Sequence, residues 1–258
     1  MKKFTKVVSL MLAAILMMAL CTAFGGDSKT DDSTITVGTN AEFPLFEYVT
    51  AKGVIGEFAG IDMAIAKQIG EDNGMEAKIE NMEFDSLLLA LENGQVDAVI
   101  AGMTITDEKK DAVDFSKPYY TAKQVMIVKE DSDIQKASDM ADKKIVVLQG
   151  FTGETCVNEM GYKYESFKKG TEAIMELVNG KCDVVVIDSA TAEKYVEDNE
   201  GLKIVEDNDA FEAEEYGIAV KKGNTELLDK INKSLDKMME DGTISELSAK
   251  YAESSDAE

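Results

Sequence analysis

The chain has 258 residues, 45% of them hydrophobic, which is enough to fill one large core or two small ones and excludes disorder as the default state. A formal net charge of -23 excludes nucleic acid as a partner, because binding a polyanion depends on clustered cations that release counterions. All 27 basic residues are lysine and there is no histidine, so histidine catalysis and histidine metal ligation are excluded as well.

In chain order, Lys2, Lys3 and Lys6 precede an apolar run from Val7 to Leu20 that ends in small residues. A secretory signal peptide over residues 1–25 has this layout, and the run is too short to span a bilayer as a helix. Two processing routes remain open: Met18-Ala19-Leu20-Cys21 resembles a lipoprotein box that would lipidate Cys21, whereas plain secretion would cut near Ala23 or Gly25. Residues 26–33 are polar and read as a tether.

β-Rich runs then alternate with helix-period segments: Ile35 to Gly38, a helix near Gly60 to Asn73, Ala77 to Glu80, a helix from Phe84 to Asn93, and Val96 to Ala101. A second series follows after Ile145, with helices expected from Gly153, Thr171 and Ala190 and strands at Tyr164 to Phe167, Asp183 to Asp188 and Leu202 to Val205. Such alternation predicts βαβ units and mainly parallel sheets. Residues 91–99 and 177–185 share the frame L-x-N-G-x-x-D-x-V, a helix closed by Asn-Gly and leading into a buried strand headed by Asp. Its recurrence points to two similar lobes.

Tyr119 to Lys129 reads as a strand crossing from one lobe to the other, and Glu215 to Lys221 as the segment that crosses back. Thr225 to Glu240 and Thr243 to Tyr251 read as helices, with Leu227, Leu228, Ile231, Leu235 and Met238 forming a core stripe expected to pack on the first lobe. Cys156 and Cys182 are either a disulfide pair or two small buried residues.

From about Thr34 to Tyr251 the sequence resembles the amino-acid-binding branch (family 3) of the bacterial extracellular solute-binding proteins, the receptors of ABC importers. The resemblance rests on Val37-Gly38-Thr39-Asn40 leading to Phe43-Pro44-Leu45-Phe46-Glu47-Tyr48, and on Gly60-Ile61-Asp62. It continues through Phe84-Asp85-Ser86-Leu87-Leu88, the run from Ala101 to Lys110, Val113-Asp114-Phe115-Ser116, and Gln149-Gly150-Phe151-Thr152-Gly153. It implies an α/β fold, a type II two-lobe clamp like the periplasmic binding proteins, each lobe a mainly parallel sheet flanked by helices. Lobe one would hold residues 34–121 and 217–253, lobe two residues 122–216, with two hinge strands between them.

The same resemblance implies the site. Backbone N–H groups at Thr104, Thr152 and Gly153 would take the ligand's α-carboxylate, an arrangement that a helix opening at Thr152 suits in its own right. Asp188 and the Gly102 carbonyl would take the α-ammonium, with Met103 beside them; a plain helix N-cap is the competing reading of Asp188. Lys109 stands where the family has an arginine, and offers a point charge in place of a planar fork. It reads otherwise as a solvated lysine on a first helical turn. Phe43 and Phe84 would supply apolar walls or plain core, and Asn40, where cation-selective members have aspartate, points with Phe151 to a neutral amino acid.

The implied partners are ABC permease subunits and a small ligand, for an exported monomer in the periplasm or anchored to the outer face of the cytoplasmic membrane, with no cofactor and no metal. The alternatives are a sensor module for a separate signalling partner and a dehydratase-type enzyme on the same scaffold. The enzyme is disfavoured because no paired carboxylates or activated nucleophile can be placed in the cleft from the sequence.

Overall fold

A β-branched run, Thr34–Thr39, forms β1 and is the centre around which the first part of the chain is laid down. The computed structural model describes residues 33–253; the expected signal peptide, Cys21 and most of the tether lie outside them. The described residues form one compact unit.

After β1 come three short strands, β2 (Glu42–Phe43), β3 (Glu47–Val49) and β4 (Phe58–Ala59), paired antiparallel in a small sheet of their own. Helix α1 (Ile61–Asp72) starts where Gly60 turns at φ 121°, because a Cβ there would lie 2.0 Å from the Phe46 carbonyl oxygen. The helix buries Ile61, Met63, Ile65 and Ile69. Strand β5 (Glu76–Asn81), a 3-10 turn at Phe84–Ser86, α2 (Leu87–Glu92) and β6 (Ala98–Val99) follow. The next elements are α3 (Asp107–Ala112), β7 (Val113–Phe115) and the long β8 (Tyr120–Lys129).

The second series is β9 (Ile145–Leu148), α4 (Thr152–Glu159), β10 (Tyr164–Phe167), α5 (Gly170–Val178), β11 (Val184–Asp188), α6 (Ser189–Asp198) and β12 (Leu202–Val205). The chain closes with β13 (Ala213–Tyr216), β14 (Ala219–Lys221), α7 (Thr225–Glu240) and α8 (Thr243–Glu253).

One sheet has the order β5-β1-β6-β14-β7; the other has the order β10-β9-β11-β8-β12, with β13 also on β8. Strands joined by crossover helices are parallel, as expected: β5, β1 and β6 in one sheet, β10, β9 and β11 in the other. Strands β8 and β14, which arrive from the opposite sheet, run antiparallel to their neighbours, so each sheet is mixed. The returning segment is two strands and not one. Between them Gly217 N donates to Met103 O at 3.0 Å, and a Cβ on Gly217 would lie 2.7 Å from the Ile105 side chain.

The repeated frame has a physical function. Leu91 and Leu177 are fully buried, and Gly94 and Gly180 take φ 69° and 68° after their helices. Asp97 N donates to Thr36 O at 2.8 Å while Asp97 Oδ2 accepts from Thr36 N at 2.8 Å. In the second copy Asp183 N donates to Lys144 O at 2.9 Å and Asp183 Oδ2 accepts from Lys144 N at 2.7 Å. Each Asp therefore clips its strand entry to the neighbouring strand with a reciprocal pair of bonds.

Asn224 caps α7 by accepting from Leu227 N, and the helix buries Ile231, Ser234, Leu235 and Met238 against α1. Lys237 Nζ meets Asp72 Oδ1 at 2.7 Å along that seam. Cys156 and Cys182 are free thiols, and burial pushes each up to about 11. Among the described residues no helix is long and apolar enough to cross a membrane.

Candidate functional site

The segment after β6 is where the two sheets approach. Gly102 turns at φ 53°, and its N–H donates to Asp62 Oδ2 at 2.7 Å. The same oxygen accepts from Tyr119 O–H at 2.8 Å, so one buried carboxylate fixes both the turn and the start of the crossing strand. Glu47, wholly buried, stands beside Asp62. Burial raises Glu47 well above the usual carboxylate range, with Asp62 next in importance, and burial pushes Asp62 up to about 6. Neither Glu47 oxygen nor Asp62 Oδ1 meets an N–H or hydroxyl donor among the described residues, so the two carboxyls bond to each other through a shared proton. Asp62 has two donors and Glu47 has none, so Glu47 is the one that keeps a proton.

From this anchored turn the chain passes Met103, buried, to Thr104, which forms an isolated antiparallel bridge with Tyr216. Thr104 Oγ1 accepts from Thr152 Oγ1 at 3.0 Å and donates to Glu214 Oε2 at 2.8 Å. The crevice expected between Thr104 and Thr152 is closed to a hydrogen bond, and the main hydrophobic cluster runs through both sheets. Thr106 caps α3 by accepting from Lys109 N, and Lys109 Nζ turns back to Thr104 O at 3.1 Å. Lys109 is half-buried rather than solvated. Desolvation lowers its ammonium below the usual lysine range, while Glu214 and Asp188 pull it back up.

Asp188 occupies the N-cap position of α6 without capping it. Its side chain is buried and accepts from Tyr216 O–H instead, so the N-cap reading does not account for this residue. Burial pushes Asp188 up to about 7, reinforced by Glu214. Across β8, Gln124 pairs with Asp188 in register, and its Oε1 is buried with no partner among the described residues. A Cβ on Gly153 would lie 2.7 Å from that oxygen and 3.0 Å from Val186 O, so only glycine fits where α4 begins. No side chain caps α4, whose first N–H groups suit an anion.

Phe84 and Phe151 stack at 4.0 Å, and Phe43 lies 5.4 Å from Phe151. Asn40 Nδ2 is committed to Met82 O at 2.9 Å, tying the end of β1 to the segment that carries Phe84. The structure thus brings Thr104, Lys109, Thr152, Gly153 and Asp188 to one place, with Gly102 and Met103 behind them and the three rings beside them. Gln124 and Glu214 join the group without having been singled out from the sequence. Gln124 had a faint signal, a polar residue heading the apolar run Val125 to Val128, whereas Glu214 sits in an acidic stretch that reads as a solvated face.

Residues 35–254 match the family described as bacterial extracellular solute-binding proteins, family 3. The chain is 33% identical over 249 residues to the arginine-binding extracellular protein ArtP of Bacillus subtilis (strain 168), covering 94% of this chain and 96% of ArtP. It superposes with TM-score 0.79 on the arginine-, lysine-, histidine-binding protein ArtJ from Geobacillus stearothermophilus, at 34% identity over 84% of this chain and 94% of the other. An ancestral arginine-binding protein bound to glutamine gives TM-score 0.78 at 43% identity, covering 85% and 97% of the two chains. Fold and sequence agree: the chain belongs to the bacterial extracellular solute-binding proteins, family 3, alongside amino-acid-binding proteins of ABC transporters.

Proposed function

We propose that this chain captures a free amino acid outside the cell and presents it to the permease subunits of an ABC importer, binding without catalysis. The observation that carries this reading is the convergence of Asp188, buried and not used as a cap, with Thr104, Lys109 and the uncapped start of α4. One end of that group suits an ammonium and the other a carboxylate, the two charges of a zwitterion.

In this reading the lobes are residues 34–121 with 217–253, and residues 122–216, hinged on β8 and on the β13–β14 return. The described arrangement corresponds to the closed form. Its latch would be Thr104 to Thr152, Gln149 Nε2 to Asp85 Oδ2 at 2.9 Å, Lys169 Nζ to Glu42 Oε1 at 2.8 Å and the Phe84–Phe151 stack. Ligand binding favours closure because it adds contacts to both lobes that the open form lacks. Export through the N-terminal signal, as a free monomer or anchored at Cys21, completes the proposal.

The ring pair suits a ligand with a planar polar end. Glutamine fits the neutral side chain expected from the sequence, and arginine is the ligand named for several relatives. The test is a thermal-shift screen of the twenty amino acids followed by calorimetry, since a ligand confined to the folded state raises apparent stability by mass action. Saturable binding of an amino acid, lost in Asp188→Ala, is the expected result; no binding by any of the twenty refutes the reading.

A further inference from the structure

We propose that Glu214 is a tethered stand-in for the ligand's carboxylate, occupying the Thr104 and Gln124 side-chain donors and the Lys109 charge beside the backbone N–H groups that would take that carboxylate, until an incoming amino acid displaces it. The inference rests on the amino-acid-binding reading given above.

Four groups would serve a bound carboxylate, and all four act on Glu214. Its Oε2 accepts from Thr104 Oγ1 at 2.8 Å and from Gln124 Nε2 at 3.4 Å. Thr152 acts on it through Thr104, to whose hydroxyl it donates, and the Lys109 charge favours its ionised form against the burial that raises it. Strand β13 delivers this carboxylate by period-2 geometry: Glu214 and Tyr216 share a face, Ala122 and Tyr120 being their partners on β8. From that face Tyr216 O–H donates to Asp188, where a ligand ammonium would donate, while Glu214 accepts from Thr104. Two side chains of one strand thus present to the site the donor and the acceptor that a zwitterion would bring.

A ligand carboxylate placed on the same donors would lie beside a second negative charge, already next to Asp188 and facing Lys109. The Glu214 carboxylate therefore has to move away, and the bonds it gives up are subtracted from the affinity. Charge-assisted hydrogen bonds of this kind are strong enough that their removal as competitors changes affinity by about tenfold or more. The opposite role, a second acceptor for the ammonium, would make removal of Glu214 weaken binding instead of tightening it.

The test compares the wild-type chain with Glu214→Ala and with Glu214→Gln, which keeps the volume and removes the charge. L-glutamine affinity is measured by calorimetry, and protection against thermal unfolding by sodium acetate is measured against matched sodium chloride. Removal of Glu214 should tighten L-glutamine binding about tenfold or more, with Glu214→Gln in between, and acetate should protect Glu214→Ala but not the wild type. Unchanged or weakened L-glutamine binding overturns the proposal, because Glu214 is then a bystander or a ligand contact. If L-glutamine binds none of the proteins, the glutamine reading fails separately, and acetate decides for Glu214: selective protection of Glu214→Ala supports the stand-in, and equal or absent protection overturns it.

Discussion

Asp62→Asn isolates the cost of keeping a carboxylate under the Gly102 turn. The wild-type side chain is wholly buried, and that burial raises it from the ordinary 3.8 to about 6 on folding. A carboxyl raised in the folded state binds more protons there than in the unfolded chain, so stability is full below pH 3.8 and falls as pH rises through about 6. At 1.36 kcal/mol per unit the total is about 3 kcal/mol, of which about 2 kcal/mol is lost between about pH 4.5 and about pH 7.5.

Asparagine keeps an acceptor for Gly102 N–H and Tyr119 O–H and offers its amide to Glu47, without a charge to bury. Urea denaturation of both proteins across this range should show the wild type losing about 2 kcal/mol relative to Asp62→Asn, or about 4–8 °C in melting temperature. The difference between the proteins is the diagnostic quantity. Relief of self-repulsion at -23 net charge and the raised Glu47 and Asp188 also favour acid, while the surface carboxylates Asp72, Asp114 and Asp133, lowered chiefly through lysine and backbone partners, oppose it. A wild-type-minus-variant difference that stays flat with pH would refute the buried-charge argument.

Asp188→Ala should weaken amino-acid binding by about 2–5 kcal/mol in calorimetry, because a desolvated ammonium loses its counter-charge. Gly102→Ala forces a side chain into φ 53° and places its Cβ 2.8 Å from the Phe43 ring, so melting should fall by about 1–3 kcal/mol of stability. Gly153→Ala meets Gln124 Oε1 at 2.7 Å and should reduce ligand affinity more than it reduces stability, read as a Kd change larger than the thermal shift. With Cys156 and Cys182 both free, adding reductant should leave the melting curve of residues 33–258 unchanged.

Legibility in the sequence follows how local the cause is. The L-x-N-G-x-x-D-x-V frame could be read because every part acts within one helix-to-strand connection; the reciprocal Asp97–Thr36 and Asp183–Lys144 bonds are the detail that the letters could not show. Strands Tyr164–Phe167 and Leu202–Val205 and helix Thr225–Glu240 have the expected bounds. The small β2–β3–β4 sheet escaped notice because its strands are two or three residues long, below any period that a pattern can reveal. The returning segment reads as one strand because Glu215 to Lys221 is the only segment after Val205 whose letters have strand character. Its division at Gly217 is set by partners about a hundred residues earlier in the chain, on β8 and on β6 and β7.

The candidate site divides along the same line. Thr152 and Asp188 stand at element ends and Lys109 in a first helical turn, where a helix start or a strand terminus gives a polar residue a local reason to be noticed. Glu214 has no such reason: it follows Glu212 and precedes Glu215, and the neighbours at 212, 213 and 215 are exposed. What distinguishes it is register. Pairing of Glu214 with Ala122 and of Tyr216 with Tyr120 aims one face of β13 at Thr104 and Asp188, and a slip of one residue would aim Glu215 there and turn Glu214 away. The meeting of Glu214 with Thr104 is therefore decided by a strand pairing between residues nearly a hundred positions apart, so the charge balance around Asp188 and Lys109 belongs to the tertiary fold and to no motif within it.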